Sequence, residues 1–499
     1  MRVSANRGLV GVWSLTVAGA ICAIGCGSSG GGGHGGTGGN VGSGGLAGSG
    51  NTGGGGGAAG TTGTGGTGGG NSGGNAGTGA TAGAGGSVAA SCPGAAQTNF
   101  KYSAKGDSNP FFTSSVAVRT ANQFIVFSGY SGPAPSGVDA GAGPGAGADA
   151  ASQGPNFIYA QAFDAITGTK AGPAAPLFQA NNGDLFYVFD VSIAPTGEIV
   201  LLHASNERQS PIDDTLYASF FSPSSAGAPL HLVRTVQIES APLGNAHAIW
   251  SVASQGFVLS WKYQTTEWFL GVKKFNPDGT HAGGDTSVVP SLGGYQNDPS
   301  RDEGSTGSSG NLLAVASADP NTGLPILALL DSGGNQVGDF AELSTSLTVD
   351  SWITTAGTST GFVSFFTSGG NTGYETFARA STDGGVIGTP VVDAGDAGIK
   401  MLPASGFSFP STATAAKAIS DDTGGAGGVG LVLLDADGAN FFYVNADGMQ
   451  HQVINGLVSS AAGTEVSITN YHGSFGVSLF PSSATDNSTQ IVGSACKAN

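Results

Sequence analysis

One turn, repeated seven times between apolar runs, constrains this 499-residue chain more than any other feature. It reads "APTGEIVLL" at 194–202, "ASQGFVLSW" at 253–261 and "TSTGFVSFF" at 358–366. Looser copies are "TANQFIVFS" (120–128), "SSGNLLAVA" (308–316), "GAGGVGLVLL" (425–434) and "YHGSFGVSLF" (471–480). A second turn follows at roughly 20 to 40 residues: "FDAITG" (163–168), "FSPSSAG" (221–227), "FNPDG" (275–279), "LDSGG" (330–334), "STDGG" (381–385) and "NADG" (445–448). Glycine tolerates positive φ, so such pairs suit tight hairpins. The flanking runs are rich in Val, Ile, Phe and Thr, and helix signals are scarce.

Two hairpins per unit of about 55 residues give four strands, A to D. Four-stranded antiparallel units in radial repetition predict an all-β chain with a β-propeller of seven blades. Two stacked β-sandwiches would not produce this period. The seventh unit runs out after its third strand, at 488–499, and 97–104 supplies the missing fourth. A ring closed by both termini removes an exposed sheet edge. Cys92 then lies just before the fourth strand and Cys496 just after the third. A Cys92–Cys496 disulfide would stand where the missing hairpin turn should be, in an oxidising compartment. The alternative is two unrelated free cysteines.

The first 90 residues are of another kind. Arg2 and Arg7 precede an uncharged, mostly apolar run at 9–24, short of the ~20 residues of a membrane span and suited to an export signal. Ala23-Ile24-Gly25-Cys26 resembles the lipobox of bacterial lipoproteins, with Ala23 where leucine is usual. The resemblance implies a signal peptide at 1–25, lipidation of Cys26 and a membrane held by acyl chains. A plain signal peptide with two incidental cysteines is the alternative. Gly27 follows the cysteine where aspartate would mark inner-membrane retention, so the outer membrane or cell surface is expected. Residues 26–90 are expected to be a disordered tether, because 27–90 hold no Asp, Glu, Lys or Arg and mostly small residues. Such a coil spans about 40–50 Å.

Residues 91–499 form the expected propeller domain. They carry 33 acidic and 14 basic residues, a charge of −19 that argues against a nucleic-acid partner. A–B and C–D turns share one face of a propeller and read as short. The long stretches, 129–156, 205–214, 291–310 and 393–411, are assigned to B–C or D–A connections on the other face. Binding residues concentrate on such loops. Ligand-binding candidates there are Tyr130, His203, Arg208, Tyr263, Tyr295 and Arg301.

Catalytic signals are weak. The histidines show no H-E-x-x-H spacing, and no metal or cofactor is expected. Gly357-Thr358-Ser359-Thr360-Gly361 fits G-x-S-x-G, but between strands it reads as a hairpin rather than a nucleophile elbow. Carboxylates pair at Asp213–Asp214, Asp421–Asp422 and Asp435-x-Asp437, a chemistry open to acid–base work or Ca²⁺. The last is expected to be a B–C turn. Ser381-Thr382-Asp383-Gly384-Gly385 resembles the start of the sialidase Asp-box without its Thr-Trp end. Phe163-Asp164-Ala165-Ile166-Thr167-Gly168 resembles the turn of quinoprotein-like propeller repeats, with Gly172 where tryptophan is expected. Both resemblances imply a propeller and neither implies an activity.

The expected function is binding or scaffolding by a monomeric, membrane-anchored lipoprotein, with an envelope protein or polysaccharide as partner. A carbohydrate-active propeller enzyme is the alternative. Two carboxylates about 5–10 Å apart in the central pocket would favour the enzyme.

Overall fold

Runs rich in β-branched and aromatic residues pair as strands when tight turns separate them. Every regular element among the described residues is such a strand. The computed structural model describes residues 100–103, 111–131, 156–172, 175–179, 185–206, 214–223, 230–252, 254–265, 268–283, 286–289, 304–319, 321–337, 340–359, 361–369, 372–379, 399–401, 415–421, 427–435, 438–444, 451–453, 463–481 and 488–496. The signal segment, the tether and Cys92 lie outside them.

The strands form seven four-stranded antiparallel sheets. After β1 (Phe100–Ser103), the first sheet takes β2 (Phe111–Arg119), β3 (Gln123–Ser131), β4 (Asn156–Asp164) and β5 (Ala175–Gln179). The second takes β6 (Leu185–Ile193), β7 (Ile199–Asn206), β8 (Asp214–Ser222) and β9 (His231–Ser240). The third takes β10 (Leu243–Ser251), β11 (Gly256–Gln264), β12 (Trp268–Phe275) and β13 (Thr286–Val289). The fourth takes β14 (Thr306–Ser309), β15 (Leu312–Ala318), β16 (Pro325–Asp331) and β17 (Ala341–Glu342). The fifth takes β18 (Ile353–Gly357), β19 (Gly361–Ser368), β20 (Thr372–Arg379) and β21 (Ile399–Met401). The sixth takes β22 (Ala415–Ser420), β23 (Val429–Asp435), β24 (Gly438–Val444) and β25 (His451–Val453). The last takes β26 (Gly463–Tyr471), β27 (Ser474–Pro481) and β28 (Ser488–Cys496), with β1 at its outer edge. There Phe100 faces Ile491 and Ser103 faces Ser488.

Each sheet's first strand packs against the first strands of its neighbours, and β26 against β2. This is a propeller arrangement, with cores between consecutive sheets. Val118, Phe127 and Ile158 meet Val191, Leu201 and Phe221 between the first two. Leu202 and Phe220 meet Phe257 and Trp261 in the next gap. Fully burying one such side chain contributes roughly 1.5–3 kcal/mol. The seam between the last and first sheets is more polar. The Arg119 backbone N–H donates to Thr469 Oγ1 (3.0 Å), and its Nε donates to Ser474 Oγ (3.3 Å).

The second repeated turn owes its shape to aspartate. Asp164 Oδ1 accepts backbone N–H groups from Ile166 (3.0 Å) and Thr167 (2.7 Å). Asp331 Oδ1 does so from Gly333 (2.8 Å) and Asn335 (2.9 Å). Hydrogen bonds from the Thr167 backbone and side chain hold the Asp164 carboxyl below its ordinary range.

The stretch 357–361 is a β18–β19 hairpin, as its flanks imply, with Thr358 Oγ1 accepting from the Gly361 N–H (3.1 Å). Gly357 lies directly against the Ser308 backbone of the fourth sheet, leaving no room for a Cβ. Gly357→Ala is expected to cost about 1–3 kcal/mol through overpacking, read as a lower urea midpoint than that of the parent chain.

Two loop assignments need correcting: 291–310 contains β14, and 393–411 contains β21. Residues 393–411 are not one D–A connection: β21 lies within them. The C–D connection of the fifth sheet is therefore 380–398, so the C–D turns are not uniformly short. The "STDGG" turn sits in that long connection, outside the described residues, where a three-residue D strand gave too weak an apolar signal to mark its place.

Candidate functional site

The first strands carry charges where a core strand would be apolar. Asp190 interrupts "LFYVFDVSI" of β6, and Lys417 interrupts "AAKAIS" of β22. The two side chains form an ion pair. Their strands belong to the second and sixth sheets, which are not neighbours, so the pair spans the interior of the ring. Asp190 is completely buried. Its Oδ1 also accepts the Val191 N–H (2.8 Å), and Oδ2 accepts the Ala248 N–H (2.9 Å) from β10. A buried carboxylate is tolerable when paired and hydrogen-bonded in this way.

Above this pair the ends of the first strands enclose a cavity of about 190 Å³. Ser192 and Ile419 line it, each two residues past a member of the pair, or about 7 Å along the strand. The lining divides largely by sheet, with Ser192 and Ile419 as the exceptions. Trp250 and Val252, alternate residues at the end of the third sheet's first strand, give it an apolar side; Ile193 and Ile249 also line it, with side chains buried in separate inter-sheet cores. Ser308, Thr358, Ser359, Ser420, Asp421 and Asn470, from the fourth to seventh, make a polar wall. The Trp250 indole is set edge-on against Phe257, with centroids 5.2 Å apart and planes at 78°. Asp421 Oδ2 accepts from the Tyr443 hydroxyl (2.8 Å), which itself accepts the Gly428 N–H (3.0 Å). Burial, then the neighbouring Asp421 charge, push the Tyr443 hydroxyl up from its ordinary value, so it stays a donor.

This cavity opens beside the A–B turns, not beside the long loops where binding residues were expected. Arg208, Tyr295 and Arg301 lie outside the described residues. Tyr130 is not in a loop: it belongs to β3, opposite Phe112 and Phe157. Tyr263 is a strand residue near the end of β11, half-buried and stacked on Phe269 with centroids 5.6 Å apart. His203 is not a surface group either. It is 2% exposed within β7, stacked between Phe178 (4.8 Å) and Tyr217 (5.5 Å). Its Nε2 lies 2.9 Å from Ser219 Oγ, and its buried Nδ1 has no hydrogen-bond partner. Burial pulls its pKa down to about 3. The error was one of strand length, since β7 runs on to Asn206.

Asp421 was legible as half of an acidic pair, and Asp435-x-Asp437 does span the turn from β23 to β24. Asp190, Lys417 and Trp250 were missed. A lone charge inside an apolar first strand was the available signal for the first two. Cys496 ends β28 with its backbone opposite Ser474. No disulfide is present among the described residues.

No family model matches the chain. No curated protein sequence matches it either. Among solved structures, it is similar to the periplasmic gluconolactonase of Pseudomonas aeruginosa at 15% identity, covering 68% of this chain and 92% of that one, with a TM-score of 0.39. A Trypanosoma rangeli sialidase is 8% identical over 77% of this chain and 54% of its own, with a TM-score of 0.38. A prolyl endopeptidase is 13% identical over 69% of this chain, with a TM-score of 0.36. This chain spans only 41% of that enzyme's length.

Proposed function

We propose that this protein is a membrane-anchored binding or scaffolding lipoprotein. Its sheets are the blades of one ring, closed by β1 pairing with β28. Lipidated Cys26 and the tether at 26–90 hold it at the outer membrane or cell surface as a monomer. Its partner is an envelope protein or polysaccharide. The observation that supports binding is the cavity at the first-strand ends. Its polar wall is mainly hydroxyl and amide, and the Asp421 carboxylate that it contains already receives the Tyr443 hydroxyl. Such groups orient a ligand. Glycoside hydrolysis asks instead for two carboxylates flanking the bond to be broken.

The test uses the full-length chain, solubilised in mild detergent and incubated with envelope from its own source, split into protein and polysaccharide fractions. Retention of an unaltered component is expected, by mass spectrometry and sugar analysis. Retained polysaccharide that returns shortened would overturn the non-catalytic reading in favour of a carbohydrate-active enzyme.

A further inference from the structure

We infer that the cavity at the first-strand ends takes one neutral pyranose unit, either a free monosaccharide or the terminal unit of a glycan. This rests on the reading of the cavity as a binding site. Three observations carry it. The first is size: at about 190 Å³ the space falls below the roughly 300–1,000 Å³ of pockets for drug-sized ligands, so it suits a single ring.

The second is its two-sidedness. Trp250 and Val252 stand on one side, while hydroxyls, the Asn470 amide and Asp421 stand on the other. A pyranose has the same division, with a face of C–H bonds and a rim of hydroxyls. Hydroxyl groups both donate and accept, as a ligand that itself donates and accepts requires. Phe257 holds the indole edge-on, so the apolar wall is preformed.

The third is charge. Asp421 on the wall and the chain's formal charge of −17 disfavour an anionic ligand. Asp190 and Lys417, two residues back along strands whose Ser192 and Ile419 line the cavity, do not line it themselves and are already paired, so they offer a ligand no uncompensated charge. The site therefore favours a neutral polyhydroxy ring over a sialic or uronic acid.

The experiment titrates the full-length chain with glucose, galactose, mannose and N-acetylglucosamine, followed by saturation-transfer NMR. Disaccharides of each sugar form a second arm, and glucuronic acid a third. Saturable binding of at least one neutral sugar is expected, at roughly millimolar strength. Trp250→Ala and Asp421→Asn should each weaken it about tenfold or more, while Tyr263→Ala should leave it unchanged. Disaccharides binding better than their monosaccharides would identify a glycan terminus as the source; equal binding would identify the free sugar. Lack of a saturable signal from any neutral sugar with the parent chain would overturn the inference, as would preference for glucuronic acid. If an envelope component is retained equally by the parent chain and Trp250→Ala, the sugar site fails while the binding reading stands. If a bound glycan is shortened, the non-catalytic reading fails while the sugar site stands.

Discussion

Replacing Lys417 by methionine is expected to destabilise the ring by about 3–5 kcal/mol, because it strands a buried carboxylate. Methionine keeps most of the lysine stem and removes the ammonium. Asp190 would retain its two backbone donors, Val191 and Ala248, but lose its counter-charge while wholly buried. Replacing both partners with residues of similar volume, as in Asp190→Leu with Lys417→Met, should recover most of the loss, since an apolar pair carries no desolvation penalty. Urea midpoints for the two single variants and the double variant would measure the coupling. A Lys417→Met cost below about 1 kcal/mol, the range of exposed pairs, would mean that water reaches Asp190 and the ring interior is wet.

Acid should weaken the protein through His203. Its folded pKa is about 3, and an unfolded imidazole titrates near 6.5. Above that value neither state is protonated and the contribution is fully present. As pH falls below it, the unfolded chain takes up a proton that the buried ring refuses, so stability is lost at up to about 1.4 kcal/mol per pH unit until the folded pKa is reached. Between pH 7.5 and pH 5 this amounts to about 2 kcal/mol. His203→Phe retains an aromatic ring between Phe178 and Tyr217 and removes the titration. Urea unfolding of both chains at the two pH values should show the variant gaining about 2 kcal/mol on the parent as pH falls. Equal slopes would mean that the ring is protonated in place, with Nδ1 donating to a group brought within reach.

Much of the architecture could be read from the sequence because its signals are local. A tight turn between two apolar runs specifies a hairpin without reference to the rest of the chain, and seven copies imply a ring. The orphaned third strand at 488–499 pointed to the N-terminal segment, and β28 does pair with β1. The site was harder to read. Asp190 and Lys417 meet across the ring from sheets that share no hairpin, and nothing near either residue names the other. His203 was misplaced because its setting depends on where β7 ends, and short-range patterns fix boundaries less well than the presence of an element. The cavity escaped notice for a related reason. Six strand ends contribute to it, each with only one to three residues, and none forms a motif alone.

The pairing of β1 with β28 also sets a clock. β1 is among the first strands of the domain to leave the ribosome, and its partner is among the last. Until synthesis delivers β28, the chain can assemble hairpins and stack neighbouring sheets but cannot join its ends. Non-local closure of this kind is slow and leaves an edge open to wrong partners while it waits. Once made, the same pairing works in reverse, because neither end can fray inward without first giving up the other.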